Sequence, residues 1–223
     1  MWSWIPLIAV LVAALVIVAW FFAWRGARLR YLRVNSLVAQ TSRGPVEYAR
    51  QGAGPVVLVL HGGLGGWDQA LFLGQDLRAE TCFTVLAPSR LGYLRTPLST
   101  GTTPEDGADA MAALMDKLGM AEAAVLGLSG GGPTALAMAL RHPPRVRALV
   151  MMAAITGQHT QPQQTTNEWA ARVLFSGAAD LLLDFATWVV FVHMIRLAPR
   201  FMVRRMFRST ETFDKDRIDQ RVR

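Results

Sequence analysis

The sequence predicts an α/β fold, a mostly parallel, doubly wound sheet preceded by one membrane-crossing helix. Three observations carry this. Short, mostly apolar runs at residues 55–60, 83–86, 123–126 and 148–153 alternate with stretches of helical periodicity, the pattern of buried strands joined by crossover helices. One of these runs feeds Gly127-Leu128-Ser129-Gly130-Gly131, and a helical pattern starts near Thr134. Ile5 to Trp24, finally, contains no charged residue.

The apolar N-terminal stretch explains the composition. Twenty residues of helix span about 30 Å, the thickness of a bilayer core. Trp2 and Trp4 bracket one end and Trp20 and Trp24 the other, as interfacial aromatics do. A cleaved signal peptide would need a basic start, a shorter apolar run and a small-residue cleavage site, and none is present. An uncleaved single-pass anchor is therefore expected. Arg25, Arg28, Arg30 and Arg33 follow the span and nothing basic precedes it, which places the N-terminus outside and the globular part in the cytoplasm. The span and its basic flank occupy residues 1–33. Apolar residues make up 52% of the 223-residue chain and charged residues only 17%, as a membrane contribution requires. The net charge of +7 rests on arginine, Lys117 and Lys215 being the only lysines. The basic residues cluster beside apolar stretches without a nucleic-acid motif or interleaved aromatics, so no nucleic-acid partner is expected. The single Cys82 excludes an internal disulfide and a cysteine-based zinc site. No cofactor or metal is expected.

The core is expected over residues 34–156. Ser36 to Ala39 and Val46 to Ala49 read as a hairpin around the turn Ser42-Arg43-Gly44-Pro45. Pro55 to Leu60 reads as a strand buried on both faces, followed by His61-Gly62-Gly63-Leu64-Gly65-Gly66. That loop is not a dinucleotide fingerprint, because the third glycine of the pattern would fall at Asp68. Its backbone amides are expected to face the Ser129 hydroxyl. Gln69 to Arg78 reads as a helix and Phe83 to Leu86 as a strand. Thr103 reads as an N-cap, with Pro104 at the first helical position and Lys117 near the end. The run ending at Ser129 supplies strand, sharp turn and helix, the context of a nucleophile elbow. Side chains at Gly127 or Gly131 would collide with neighbouring backbone in such a turn. A β-branched residue at Gly63 is likewise expected to distort its loop. Ligands of such sheets bind beyond the carboxyl ends of the strands, where the 61–66 loop and Ser129 both lie.

Taken together, the 61–66 loop, the turn Pro88-Ser89-Arg90-Leu91-Gly92-Tyr93, the Ser129 elbow and the run from Arg141 to Val146 resemble the α/β-hydrolase fold. The resemblance covers residues 44–155. It implies that Ser129 is the nucleophile of a serine hydrolase and that the oxyanion hole is formed by the amide of Gly130 and one from the loop, Gly63 before Leu64. It implies that His61 supports the loop and does not act as a base.

Beyond Thr156 the alternation stops. Residues 157–223 read as a polar linker and a helical cap region, with helical patterns at 169–174, 180–197 and 199–208. In the family, two further strands carry the triad acid and histidine, and no such strands are legible here. The chain is therefore expected to be truncated, or to be a degenerate hydrolase. Asp180 or Asp184 with His193 would satisfy the family's order of acid and histidine, but all three lie in one apolar helical stretch, where His193 reads as a residue lining a pocket or held in a core. The acid and base stay unassigned, with Asp184 and His193 as weak candidates. Phe185, Trp188, Phe191, Val192 and Ile195 are expected to face the active-site mouth. Three functional readings remain open. One is a membrane-anchored serine hydrolase acting on an ester of a hydrophobic or lipid-like molecule. Another is an acyltransferase or a cofactor-free haloperoxidase on the same scaffold. The last is a catalytically inactive pseudo-hydrolase that binds a lipid or a partner.

Overall fold

The computed structural model describes residues 4–63, 65–75 and 83–156, and positions 181, 182, 184–186, 188, 189, 193 and 195–198 of the later segment. Leu64, Asp180, Phe191, Val192 and the expected helices at 169–174 and 199–208 lie outside the described residues. Contacts group the chain into two compact units, Met1–Arg28 with Thr160–Arg223, and Leu29–His159.

The first helix, α1 (Ile5–Val34), runs without a break through the apolar span and the arginines that follow it. An 18-residue stretch of it has a mean hydropathy of 2.9, and only 6% of that stretch is buried. A core helix of such composition would bury most of itself, so α1 is a helix long and apolar enough to cross a membrane. The one buried residue on it is Phe21, which meets Phe185 edge-on at 5.3 Å and Trp188 at 5.6 Å between ring centroids. Trp20 and Trp24 stand 5.2 and 6.4 Å from Trp188. Phe185 and Trp188 thus spend their rings on α1, where the sequence had them facing an active-site mouth. Aromatic pairs gain about 0.5–1.5 kcal/mol beyond the area they bury, and α1 offers rings at residues 20, 21 and 24.

In the second unit, β1 (Leu37–Thr41) and β2 (Gly44–Gln51) form a hairpin closed by Ser42 and Arg43. Gly44 supplies the φ of +123° that the turn needs. They are followed by β3 (Val56–Leu60), α2 (Trp67–Leu73), β4 (Thr84–Pro88), α3 (Pro104–Lys117), β5 (Ala123–Leu128), α4 (Gly132–Arg141) and β6 (Val146–Met152). The sheet order is β1-β2-β4-β3-β5-β6, parallel from β4 to β6 and antiparallel at β1 and β2. Alternation along β3 shows why its sequence is apolar throughout. Leu58 and Leu60 pack with Met111, Leu114 and Met115 of α3 and Met138 of α4. Val57 and Val59 point the other way, to Trp67, Ala70 and Leu71 of α2. Both faces of the strand are core, each fully buried aliphatic side chain contributing about 1.5–3 kcal/mol.

The helix starts are local. Thr103 accepts the Asp106 amide at 3.0 Å while the Asp106 carboxylate accepts the Thr103 amide at 3.1 Å, a reciprocal cap. The helix expected over Gln69–Arg78 begins earlier, at Trp67. Asp68 accepts the Gly66 amide and places its charge in the first turn, which favours a start at that point.

Candidate functional site

β3 and β5 are parallel neighbours, with Leu60 opposite Gly127, so the loops that leave their carboxyl ends emerge side by side. Ser129 follows β5 at φ 47°, a left-handed conformation that a residue with a Cβ adopts only at some cost. The chain then makes one tight turn, Ser129–Gly131, into α4. A Cβ on Gly131 would stand 2.4 Å from the Leu60 carbonyl oxygen and 2.7 Å from that of His61. One on Gly127 would stand 2.7 Å from the Ala135 Cβ. The two glycines therefore let the turn press against the end of β3, and the Ser129 carbonyl is tied down by the Ile155 amide at 3.0 Å.

The 61–63 segment faces this turn. A Cβ on Gly62 would meet the Ser129 Cβ at 3.4 Å, and one on Gly130 would lie 3.8 Å from the Gly63 amide nitrogen. Ser129, Gly63 and Gly130 are thus brought together. The Gly62 amide is already committed to Gln69 Oε1 at 2.8 Å, so among the described residues Gly63 is the loop amide beside Gly130. The Gly130 amide sits at the start of the helical turn, where N–H groups have no partner within the helix. A Cβ on Gly63 meets nothing within 4 Å, so an alanine at that position fits; the expectation for a bulky β-branched residue concerns atoms beyond Cβ.

His61 is fully buried. The Arg90 amide donates to its Nε2 at 2.9 Å, so the proton lies on Nδ1, which donates to the Gly62 carbonyl at 2.8 Å. Burial lowers its pKa to about 4. Both ring nitrogens hold backbone, and His61 supports the loop. Tyr93 stands edge-on to it at 4.7 Å and donates to the Gly63 carbonyl at 3.3 Å.

Sequence reasoning passed over Arg90, although it quoted the turn that contains it. The Arg90 guanidinium lies 4.8 Å over the Tyr93 ring and donates to the Gly62 carbonyl at 3.1 Å. Its Nη2 lies 3.4 Å from where a Gly130 Cβ would be, and burial lowers its pKa. A positive charge is therefore fixed beside the Gly63 and Gly130 amides. Arg90, Gly130, Thr102, Thr103, Met111 and Thr134 line a cavity of about 180 Å³. The turn is held in turn by buried Glu47, which accepts from Ser89 Oγ at 2.8 Å, the Arg95 amide at 3.1 Å and Arg95 Nε at 2.7 Å. No signal in the sequence marked Glu47, since alternation along β2 sets it on the face opposite Val46 and Tyr48, where a charge is ordinarily solvated.

The weak acid and base candidates have other partners. Asp184 accepts from Arg25 Nε at 2.6 Å. The His193 ring lies 4.9 Å from Trp20 and 4.6 Å from Trp188, with Nε2 buried and unpartnered among the described residues. Asp184 and His193 belong to the unit that contains Met1–Arg28, Ser129 to the other. Among the described residues no group of three His, Cys, Asp or Glu side chains could hold a metal ion.

Comparison with known proteins shows the fold family. The family model of the alpha/beta hydrolase fold matches residues 55–189. The uncharacterized hydrolase YcgS of Bacillus subtilis (strain 168) is 27% identical over 175 residues, covering 78% of this chain and 59% of that protein. A 2-hydroxymuconate semialdehyde hydrolase of Pseudomonas sp. (strain CF600) is 33% identical over 140 residues, 60% of this chain and 49% of that protein. Among solved structures, an alpha/beta hydrolase fold protein from Nakamurella multipartita superposes with a TM-score of 0.64 at 36% identity, over 84% of this chain and 61% of that one. The chain spans about half to three-fifths of the length of these relatives. With a family match over more than half its residues, and a sheet whose adjacent strands bring a serine turn and a glycine loop together, the chain belongs to the α/β-hydrolase fold family.

Proposed function

We propose that the protein is a membrane-anchored serine hydrolase that cleaves a carboxylic ester of a hydrophobic molecule. The observation that carries this reading is Ser129 at φ 47° on the turn after β5, with the amides of Gly63 and Gly130 beside it. In the proposed reaction the Ser129 hydroxyl oxygen attacks the ester carbonyl carbon and its proton passes to a base. The carbonyl oxygen takes up negative charge facing the two amides, with the Arg90 guanidinium adding positive potential. Collapse expels the alcohol and leaves an acyl-enzyme, which water hydrolyses to acid and free serine. The hydrolase names of the relatives support this reaction class. The base and the acid remain to be assigned. His193 and Asp184 hold that place only as weak candidates, since each is engaged within its own unit. In this reading α1 is the anchor, residues 34–156 the hydrolase core and 157–223 the linker and cap.

A fluorophosphonate probe tests the nucleophile. A base beside Ser129 gives stoichiometric labelling that Ser129→Ala abolishes. An oxyanion hole without a base retains only about 10³–10⁴-fold acceleration over water, and labelling is then feeble. Absence of labelling in the full-length protein sinks the hydrolase and leaves the lipid- or partner-binding pseudo-hydrolase. Alkaline carbonate extraction, read separately, tests the anchor.

A further inference from the structure

A cavity of about 430 Å³ lies where the last turns of α1 meet the hydrolase core, lined by Leu29, Arg30, Leu32, Arg33, Glu47, Leu94 and Arg95. Its charges are unevenly matched. Arg95 is spent on buried Glu47 and also donates to the Ser36 carbonyl at 2.8 Å. Glu47 is in turn saturated by Ser36 Oγ, Ser89 Oγ and Arg95. That pair is neutral and fixed. Arg30 and Arg33 are exposed and have no ion-pair partner among the described residues, so the cavity carries an excess charge of two. The rest of the lining is apolar wall. Leu29 and Leu94 are 44% and 45% exposed, and Leu94 is held at φ 50°, a strained conformation for a branched residue.

From this we infer that the cavity is a binding site for the headgroup phosphate of an anionic phospholipid. The inference rests on the proposed membrane anchoring of α1 and is independent of the hydrolase chemistry. Depth along the helix supports it. Arg30 and Arg33 lie six and nine residues beyond Trp24, about 9 and 14 Å at 1.5 Å per residue. Helical side chains tilt towards the N-terminus, here towards the bilayer, and arginine reaches back to the interface along its apolar stem. The guanidinium groups therefore come level with the phosphates when Trp24 sits at the interface. Both are forked donors that match phosphate oxygens. A free phosphate would have no use for Leu29, Leu32 and Leu94, whereas a phospholipid places its glycerol and first methylenes against such a wall. The amphipathic lining favours the lipid as source.

The test uses the full-length protein in nanodiscs of phosphatidylcholine doped with spin-labelled phosphatidylglycerol. The wild type is expected to immobilise the anionic lipid, and Arg30→Gln with Arg33→Gln to weaken that binding about 25-fold, roughly five-fold for each arginine near the surface. A charge-matched control, Arg50→Gln with Arg147→Gln, removes two exposed arginines elsewhere and is expected to retain binding. Equal losses in both double variants would reduce the effect to diffuse charge and overturn the site, as would undiminished binding in R30Q/R33Q. Displacement of the labelled lipid by millimolar glycerol 3-phosphate would assign the cavity to a soluble phosphate and overturn the lipid source. Loss of the wild type from membranes on carbonate washing marks failure of the anchor, and is read before any lipid is added.

Discussion

His61 shows how much a single side chain can hold in this protein. Its neutral ring bridges the Arg90 amide and the Gly62 carbonyl, tying the 88–93 turn to the loop that carries Gly63. Burial depresses its pKa from 6.5 to about 4, so the folded state refuses a proton that the unfolded chain accepts. Above pH 6.5 neither state binds the proton and the group contributes no pH dependence. As pH falls from 6.5 towards 4 the unfolded state alone takes it up, and stability falls with it. The full loss, about 3 kcal/mol at 1.36 kcal/mol per unit, is reached below pH 4. A thermal-denaturation midpoint that drops over this window is expected, and the slope should flatten in His61→Gln. Asp109 titrates lower. Hydrogen bonds from Arg141 hold its carboxyl at about 2, so its contribution is lost only as pH falls below the ordinary carboxylate range.

At the scale of elements, the junction of β5 and α4 is the least forgiving part of the fold. Gly131 presses its backbone on the end of β3, and any Cβ there meets carbonyl oxygens that cannot move without breaking the strand. Gly131→Ala is therefore expected to cost at least the 1–3 kcal/mol typical of overpacking, read as a lowered urea midpoint. Gly63→Ala faces open space, keeps its amide, and is expected to leave that midpoint unchanged. Equal destabilisation by the two substitutions would contradict the geometry of the turn.

For the whole molecule, the distribution of charge about α1 is the basis of the orientation we propose. The four arginines from Arg25 to Arg33 stand on the C-terminal side of the span, and if α1 is the proposed anchor, cytoplasmic retention of such clusters would put residues 25–223 in the cytoplasm. A reporter fused after Arg223 is expected to be active in its cytoplasmic form, and activity of a periplasm-dependent reporter would reverse the topology. Arg25 is also ion-paired, with Asp184 accepting from its Nε at 2.6 Å. That ion pair, with Trp188 against Phe21 and Trp20, links the helix to the later segment of its own unit.

Much of this was legible in the sequence because it depends on near neighbours. Period and composition mark buried strands such as β3, Thr103 and Asp106 lie within one turn of each other, and Gly-x-Ser-x-Gly after an apolar run admits few conformations. The pairing of the loop after β3 with the turn after β5 was also readable, because parallel crossovers put both at one end of the sheet. What the tertiary structure alone decided involves partners distant along the chain. Gln69 takes the Gly62 amide, Arg90 comes to rest beside Gly130, and Glu47 gathers Ser36, Ser89 and Arg95 into one buried knot. Phe185 and Trp188 turn to α1. Hydrophobic period reports only that a side chain is buried; which group it meets there depends on how the loops close, and no local rule encodes that.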